Sequence, residues 1–299
     1  MNAAPIALVF SGFGAGGVPR VMLALAREFL AAGHAVDLVV VRDEGPARAD
    51  VPEGARIVDL ESRQPAASWR QRLRKNRHRV LAAAPALAAY IDEARPVAML
   101  SGGNYVNFIA VRARARARHA CRLVVSHHAQ LSIEAKNKPF ARWIARRAYP
   151  KADVVTAVSD GVADDLARRA GLRRESIQTV YNPAVTPEIA TMAEQPPEHA
   201  WLAQSGPPVI LGAGRLSAQK DFPTLIRAFA LLAEDRDLRL IILGKGKDEA
   251  SRGALLRQAQ ELAVAERVDL PGFAANPYAY MRHAAVFVLS SGWEGFGNV

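Results

Sequence analysis

The sequence predicts an α/β protein built from two doubly wound parallel-sheet domains, the second of them incomplete. Three observations carry that expectation. Short apolar runs of strand length alternate with longer segments of helical apolar spacing from the first residues onward. A glycine-rich turn joins the first run to the first helical segment. The alternation then breaks once, between residues 182 and 208, where six of the 18 prolines fall, and restarts afterwards. A chain of 299 residues is long enough for two hydrophobic cores.

Taken in order, Pro5 to Phe10 reads as a buried strand, Gly12 to Gly17 as a turn, and Val18 to Ala32 as a helix closed by Gly33. Ala35–Val41, Ala55–Leu60, Val97–Leu100, Cys121–Ser126, Asp153–Val158 and Ile177–Tyr181 follow as strands. The segments between them read as helices, Phe108 to Ala120 among them. Such βαβ repetition requires a parallel sheet covered on both faces. After the proline-rich break come strand Val209–Ala213, helix Asp221–Ala233, strand Leu238–Leu243, helix Asp248–Ala263, strand Arg267–Leu270, helix Asn276–Ala284 and strand Ala285–Ser290. The expected boundaries are a first domain over 1–190, a linker over 191–207 and a second domain over 208–299, whose outer strands and last helices lie beyond Val299.

Composition narrows the function. Half the residues are hydrophobic and 23% are charged, the balance of a globular protein. The single cysteine, Cys121, excludes an intramolecular disulfide and a cysteine-held zinc, and points to a reducing, cytoplasmic setting. No apolar run reaches the roughly 18 residues of a membrane span, and no Lys or Arg precedes Arg20 to make the start a signal peptide. The net charge of +10 is lopsided: residues 1–190 carry 28 Lys and Arg against 17 acids, while residues 191–299 carry 11 against 12. Within 62–147 there are 18 basic residues and only Asp92, Glu93 and Glu134. The first half therefore faces something anionic.

Three motifs can carry chemistry. Gly12, Gly14 and Gly17 satisfy G-x-G-x-x-G between a strand and a helix, where backbone N–H groups and the helix N-terminus favour a diphosphate. That motif fits NAD and a nucleotide sugar equally, as well as a tight turn with no ligand. In the second domain, Leu211 to Phe222 ends a strand in glycines and places Arg215 and Lys220 on the loop before the next helix. Ligands bind at such strand ends, and two cations can neutralise a diphosphate, Arg215 by forking across two oxygens and Lys220 as a point charge. Last, Glu294 follows a strand among glycines in Ser290 to Val299, an arrangement of acceptor and free N–H donors suited to sugar hydroxyls. A helix-capping acid is the other reading of Glu294. Asp235-Arg-Asp237 has the form of a metal-binding D-x-D, but it falls at a helix-to-strand junction and reads as a solvated turn.

Together with Val158 to Val162, Tyr181-Asn-Pro183, Leu243 to Gly246 and Leu270 to Phe273, the segments Gly16 to Arg20, Gly214 to Asp221 and Glu294 to Val299 resemble family 4 of the retaining glycosyltransferases, in that family's order and over essentially the whole chain. The resemblance implies a GT-B fold: two Rossmann-like domains facing across a cleft, the first on the acceptor side and the second holding a nucleoside-diphosphate sugar. Carried over residue by residue, it gives Arg215 and Lys220 the donor diphosphate and the charge on the departing nucleotide, with Gly16 and Gly17 closing on the same group. It gives Glu294, Phe296, Gly297, Asn298 and Val299 the donor sugar, and Gly272 and Phe273 the neighbourhood of the base. It also gives a histidine at the end of a first-domain strand the role of meeting the donor sugar; His128, rather than His127, is the preferred candidate. No metal cofactor is expected, because the two cations supply the positive charge. This sequence departs from the family pattern at Pro19, where an acidic residue is usual, and the partner of Glu294 in the family's E-x7-E motif would be residue 302.

The expected function is transfer of a sugar, with retention, to a glycan or lipid-linked acceptor in cell-envelope polysaccharide synthesis. An NAD(P)-dependent oxidoreductase using Gly12, Gly14 and Gly17 is the alternative enzyme class, and it leaves Arg215, Lys220 and Glu294 without a role. A non-catalytic basic protein binding membranes or nucleic acid is the other. Six basic residues surround Trp69, Leu73, Val80 and Leu81 over 69–81, which suggests peripheral docking on the anionic inner face of the cell membrane. Arg112, Arg114, Arg116 and Arg118 accompany no recognised nucleic-acid motif, so nucleic acid is not an expected partner.

Overall fold

The computed structural model describes residues 4–14, 16–62, 76–137, 140–246 and 248–299, without the side chains of 76–82 and 135–137. Its chain divides into two compact units, Met1–Pro183 with Asn298 and Ala184–Gly297 with Val299. The basic segment 69–81 lies outside the described residues, apart from the helical backbone of its last six positions.

The first unit runs β1 (Ile6–Phe10), α1 (Gly17–Ala31), β2 (Val36–Val40), β3 (Arg56–Asp59), α2 (Asn76–Ala94), β4 (Ala98–Gly102), α3 (Asn104–Arg114), β5 (Arg122–His127), α4 (Leu131–Asn137), α5 (Ala141–Ala148), β6 (Val154–Ala157), α6 (Asp160–Ala170) and β7 (Ile177–Thr179). The seven strands form one sheet in the order β3-β2-β1-β4-β5-β6-β7. Every neighbouring pair is parallel. Ala7, Leu8, Val9 and Phe10 of the central β1 are wholly buried, the unbroken apolar run of a strand covered on both faces.

One charged residue interrupts that apolar interior. Asp37 of β2 is buried, and its carboxylate accepts two bonds from the Arg56 guanidinium of its register partner on β3, at 2.8 and 2.5 Å, and one from the Tyr90 hydroxyl of α2 at 2.7 Å. The cluster pins the sheet edge to α2, since a buried carboxylate left short of partners is costly. Burial, with the adjacent carboxylate, pushes the Tyr90 hydroxyl well above the usual phenol range and keeps it a donor.

The second unit runs α7 (Pro187–Ala193), α8 (Ala200–Ala203), β8 (Val209–Ala213), α9 (Phe222–Leu232), β9 (Arg239–Leu243), α10 (Glu249–Glu261), β10 (Val268–Gly272), α11 (Pro277–His283) and β11 (Val286–Val288). Its strands, all parallel, are ordered β10-β9-β8-β11. One face packs Phe222, Ile226, Phe229, Leu240, Ile242 and Leu270; the other packs Leu211, Ile241, Leu243 and Tyr280.

The elements differ from the sequence reading in four places. The segment between β2 and β3, read as a helix, holds only a short 3-10 helix over Pro46–Asp50. The proline-rich break contains two short helices, α7 opening with Pro187 at its first position, where a missing N–H costs nothing. The helix expected over Phe108 to Ala120 instead spans Asn104 to Arg114, because Asp92 accepts the backbone N–H groups of Arg118 and His119 at 2.6 and 2.8 Å and holds that stretch out of the helix. Only two of its four alternating arginines are therefore helical, and Arg114 is bound to Asp153 and the Lys151 carbonyl. Strand β11 stops two residues early, as Ser290 turns to donate to the Lys220 carbonyl at 2.7 Å.

Tyr90→Phe removes one donor from the buried Asp37 carboxylate and should lower the stability of the first unit by about 1.5–3 kcal/mol. Urea unfolding should show a lower midpoint at an unchanged slope; an unchanged midpoint would show that the hydroxyl contributes nothing.

Candidate functional site

In the second unit, strand ends gather the residues singled out from sequence. The four parallel strands end on one side of the sheet, where β8 runs into Gly214, β9 into Gly244, β10 ends at Gly272 and β11 leads to Glu294. The backbones come so close there that a Cβ on Gly244 would lie 1.8 Å from the Gly214 carbonyl oxygen, and Gly244 N donates to Gly272 O at 2.7 Å. A Cβ on Gly214, whose φ is +155°, would meet the Lys220 side chain at 2.9 Å. These glycines lower the floor of the site so that the lysine stem can lie across it.

Lys220 and Glu294, drawn from motifs 74 residues apart, meet here: Nζ lies 2.5 Å from Oε1. Their side chains are only 15% and 21% exposed, so the attraction is less screened than at an open surface. Two neighbours that the motifs did not flag hold the carboxylate. Ser291 Oγ donates to Oε1 at 2.7 Å, and Gln219 Nε2 donates to Oε2 at 3.1 Å and to the Trp293 carbonyl at 3.2 Å. The Gly292 N–H returns a bond to the Gln219 carbonyl at 2.9 Å, tying the two loops together. Ser291 was visible beside the motif, but only the fold brings Gln219 to it.

Arg215 stands on the same loop, exposed, with no carboxylate in ion-pairing range among the described residues. Gly272 closes β10 on this side and Phe273 is 60% exposed after it. Phe296, Gly297, Asn298 and Val299 continue from the Glu294 turn as irregular backbone. Asp235 and Asp237 sit in the turn from α9 to β9, at the opposite, N-terminal end of the strand.

In the first unit, Gly16 caps α1 and Gly17 begins it, after the β1 turn that carries Gly12 and Gly14. The two histidines after β5 differ sharply. Ser101 Oγ donates to Asn107 Oδ1 at 2.8 Å, which turns the Asn107 amide nitrogen toward the Ser126 carbonyl at 2.9 Å and the Tyr149 oxygen at 3.0 Å. Tyr149 then has its own proton for His127 Nδ1 at 3.0 Å, so the ring proton of His127 belongs on Nε2. That nitrogen lies 3.9 Å from Glu134 Oε2, itself bonded by Asn104 Nδ2 at 3.3 Å. His127 is thus part of a buried polar chain.

His128 has no such partner: its Nε2 is buried and makes no hydrogen bond among the described residues. It sits beside Gly102 at the end of β4, where a Cβ would come within 3.3 Å of that nitrogen and 2.9 Å of Val18 in the first turn of α1. The imidazole and the first turns of α1 therefore both pack against Gly102. Burial, then the neighbouring His127, lowers the His128 pKa to about 4 against the weaker opposing pull of Glu134, so the ring is neutral at pH 7.

A depressed histidine pKa contributes stability that is complete above the ordinary value near 6.5 and is lost as the pH falls toward 4, here on the order of 3 kcal/mol. The C2–H resonance of His128 should titrate near 4, and the folding free energy of His128→Asn should lack that part of the acid slope. A midpoint near 6.5 would contradict the burial.

Residues 15–186 match the family described as Glycosyltransferase Family 4, and residues 197–299 match Glycosyl transferases group 1. Over 202 residues the chain is 33% identical to the N-acetylgalactosamine-N,N'-diacetylbacillosaminyl-diphospho-undecaprenol 4-alpha-N-acetylgalactosaminyltransferase of Campylobacter jejuni, covering 66% of this chain and 52% of that protein. It is 26% identical over 180 residues to the alpha-D-kanosaminyltransferase of Streptomyces kanamyceticus, covering 58% of this chain and 46% of that one. The chain thus spans about half the length of these curated relatives. Among solved structures, Alr3699/HepE of Anabaena in complex with UDP superposes with a TM-score of 0.70 at 20% identity over 98% of this chain and 76% of that one. Sucrose-phosphate synthase of Thermosynechococcus elongatus gives 0.72 at 21% identity over 98% and 77%. Both units have the parallel α/β architecture of the GT-B fold, and the chain belongs to the family 4 glycosyltransferases.

Proposed function

We propose that the chain carries the donor and acceptor domains of a retaining glycosyltransferase that moves a sugar from a nucleoside diphosphate to a glycan or lipid-linked acceptor of the cell envelope. The observation that supports this most is the meeting of Lys220 and Glu294 at 2.5 Å beside exposed Arg215, at the strand ends where open α/β sheets take their ligands. Family membership and the undecaprenol-linked substrate named for the Campylobacter relative add the acceptor class.

In this reading Arg215 forks across diphosphate oxygens and Lys220 adds a point charge, so that the oxygen of the departing nucleotide finds positive charge already in place. An incoming diphosphate competes with Glu294 for the Lys220 ammonium. The carboxylate, still held by Ser291 and Gln219, then has an oxygen available for sugar hydroxyls. The backbone of Phe296 to Val299 completes the grip on the sugar, and Gly272 and Phe273 flank the base. Within the first unit, Gly16 and Gly17 at the start of α1 present backbone N–H groups suited to a phosphate. His128 is the neutral imidazole we assign to a sugar hydroxyl, able to exchange a hydrogen bond without adding charge. The reading needs no divalent ion, because Arg215 and Lys220 do its work.

The oxidoreductase alternative rests on the glycine turn alone and gives the second-unit cluster nothing to do. Calorimetric titration with UDP and with NADH separates the two: UDP should bind and NADH should not. Arg215→Ala and Lys220→Ala should each weaken UDP by about 1.5–3 kcal/mol, roughly 10- to 150-fold in Kd. NADH binding without UDP binding would overturn the transferase, and unchanged UDP affinity in both variants would remove their roles.

A further inference from the structure

The C-terminal end of α9 leaves an apolar surface open to solvent. A groove of about 420 Å³ runs between the ends of α9 and α10, and Arg227, Ala230, Leu231, Glu234, Leu262 and Arg267 lie along it. Leu231 is 69% exposed, and Leu232 and Leu262 beside it are exposed as well. Phe222, Leu225, Ile226 and Phe229 take the opposite side of the helix into the core, which leaves Leu231 on the outward stripe. At the end of α10, Ala263 holds a φ of +56°, a conformation that suits glycine, and it too lines the groove.

The rim of the groove carries both signs of charge. Arg227 stands four residues before Leu231 on the outward stripe, and Glu234 three residues after it, in the turn that continues α9. Neither has an oppositely charged partner within ion-pairing range among the described residues; Arg227 donates to Thr224 Oγ1 at 2.7 Å. Arg267 differs, since it is held by the Ala233 and Arg236 carbonyls at 2.9 and 3.4 Å.

A basic residue, then Ala230 and Leu231, then an acidic residue is an order that complements itself under a two-fold rotation. Two copies of α9 running antiparallel about an axis between Ala230 and Leu231 set Arg227 of one protomer opposite Glu234 of the partner subunit. The reverse pair forms at the other end. Leu231 then covers the small Ala230 of the partner subunit and reaches into its groove. The distribution of charge favours this face: residues 191–299 carry 11 basic residues against 12 acids, whereas residues 1–190 carry 28 against 17. Copies therefore repel each other least through the second unit.

We propose that the groove between α9 and α10 is a two-fold contact between copies of this chain, with Leu231 as its central anchor and an Arg227–Glu234 pair at each end. It lies at the other end of α9 from Lys220, so association leaves the donor cluster uncovered within the unit.

Sedimentation velocity of the full chain from about 1 to 200 µM tests this. The wild type should pass from monomer to dimer as concentration rises. Leu231→Asp should stay monomeric throughout, with Leu231→Ser as a milder replacement and thermal melts to establish that each variant is folded. Arg227→Glu and Glu234→Arg should each weaken association about tenfold or more, because each sets like charges face to face. The double reversal, Arg227→Glu with Glu234→Arg, should restore it. An equal mixture of the Arg227→Glu protein with the Glu234→Arg protein should form a mixed dimer at concentrations where neither associates alone. A wild type that stays monomeric over the whole range would overturn a second copy as the occupant. A dimer that Leu231→Asp retains would overturn this surface. A double reversal or a mixture that fails to recover association would overturn the pairing of Arg227 with Glu234.

Discussion

The contact on which the proposed donor site depends is the ion pair between Lys220 and Glu294. It forms because β8 and β11 are neighbours, so the loops that follow them emerge side by side although 74 residues separate the partners. Small residues make the approach possible: Gly214 leaves room for the lysine stem, and Gly244 lets the strand ends close up beneath it. A lysine and a glutamate at 2.5 Å with limited exposure satisfy each other at rest, and either is costly to leave without a partner. In the proposed function a diphosphate approaching Lys220 competes with Glu294 for the ammonium, which would link its capture to freeing the carboxylate.

The first unit answers the same problem with neutral groups. Its strand ends hold a directed hydrogen-bond chain from Ser101 through Asn107 and Tyr149 to His127, every member buried. Burial raises the Tyr149 hydroxyl's pKa well above the ordinary phenol value and keeps it a donor. That chain fixes one histidine and leaves its neighbour with a ring nitrogen that makes no hydrogen bond among the described residues, beside a glycine that makes space for it. Adjacent residues at the end of a strand point to opposite sides, which is how two consecutive histidines come to have a structural part and an open one.

Much of the fold was legible because parallel strands buried on both faces leave unbroken apolar runs: β1 and β8 begin and end within a residue of where the sequence places them. Residues 104–120 were misread because the deciding contact, Asp92 with two backbone N–H groups, joins elements far apart in sequence. The proline-rich break hid α7 and α8 because short helices carry too few turns for their spacing to register. At the site, the residue types of Arg215, Lys220 and Glu294 announced anion and hydroxyl chemistry, and motif order singled out His128. Gln219, Asn107 and Tyr149 stayed invisible, since an amide or a phenol in a sequence carries no mark of what it will face.

The exchange of partners at Lys220 is the account's central claim, and UDP affinity in Glu294→Gln tests it most directly. Neutralising the competitor should tighten UDP itself while weakening a UDP-sugar relative to UDP. If Glu294→Gln binds UDP more weakly than the wild type, the carboxylate supports the diphosphate instead of competing with it, and the account is wrong.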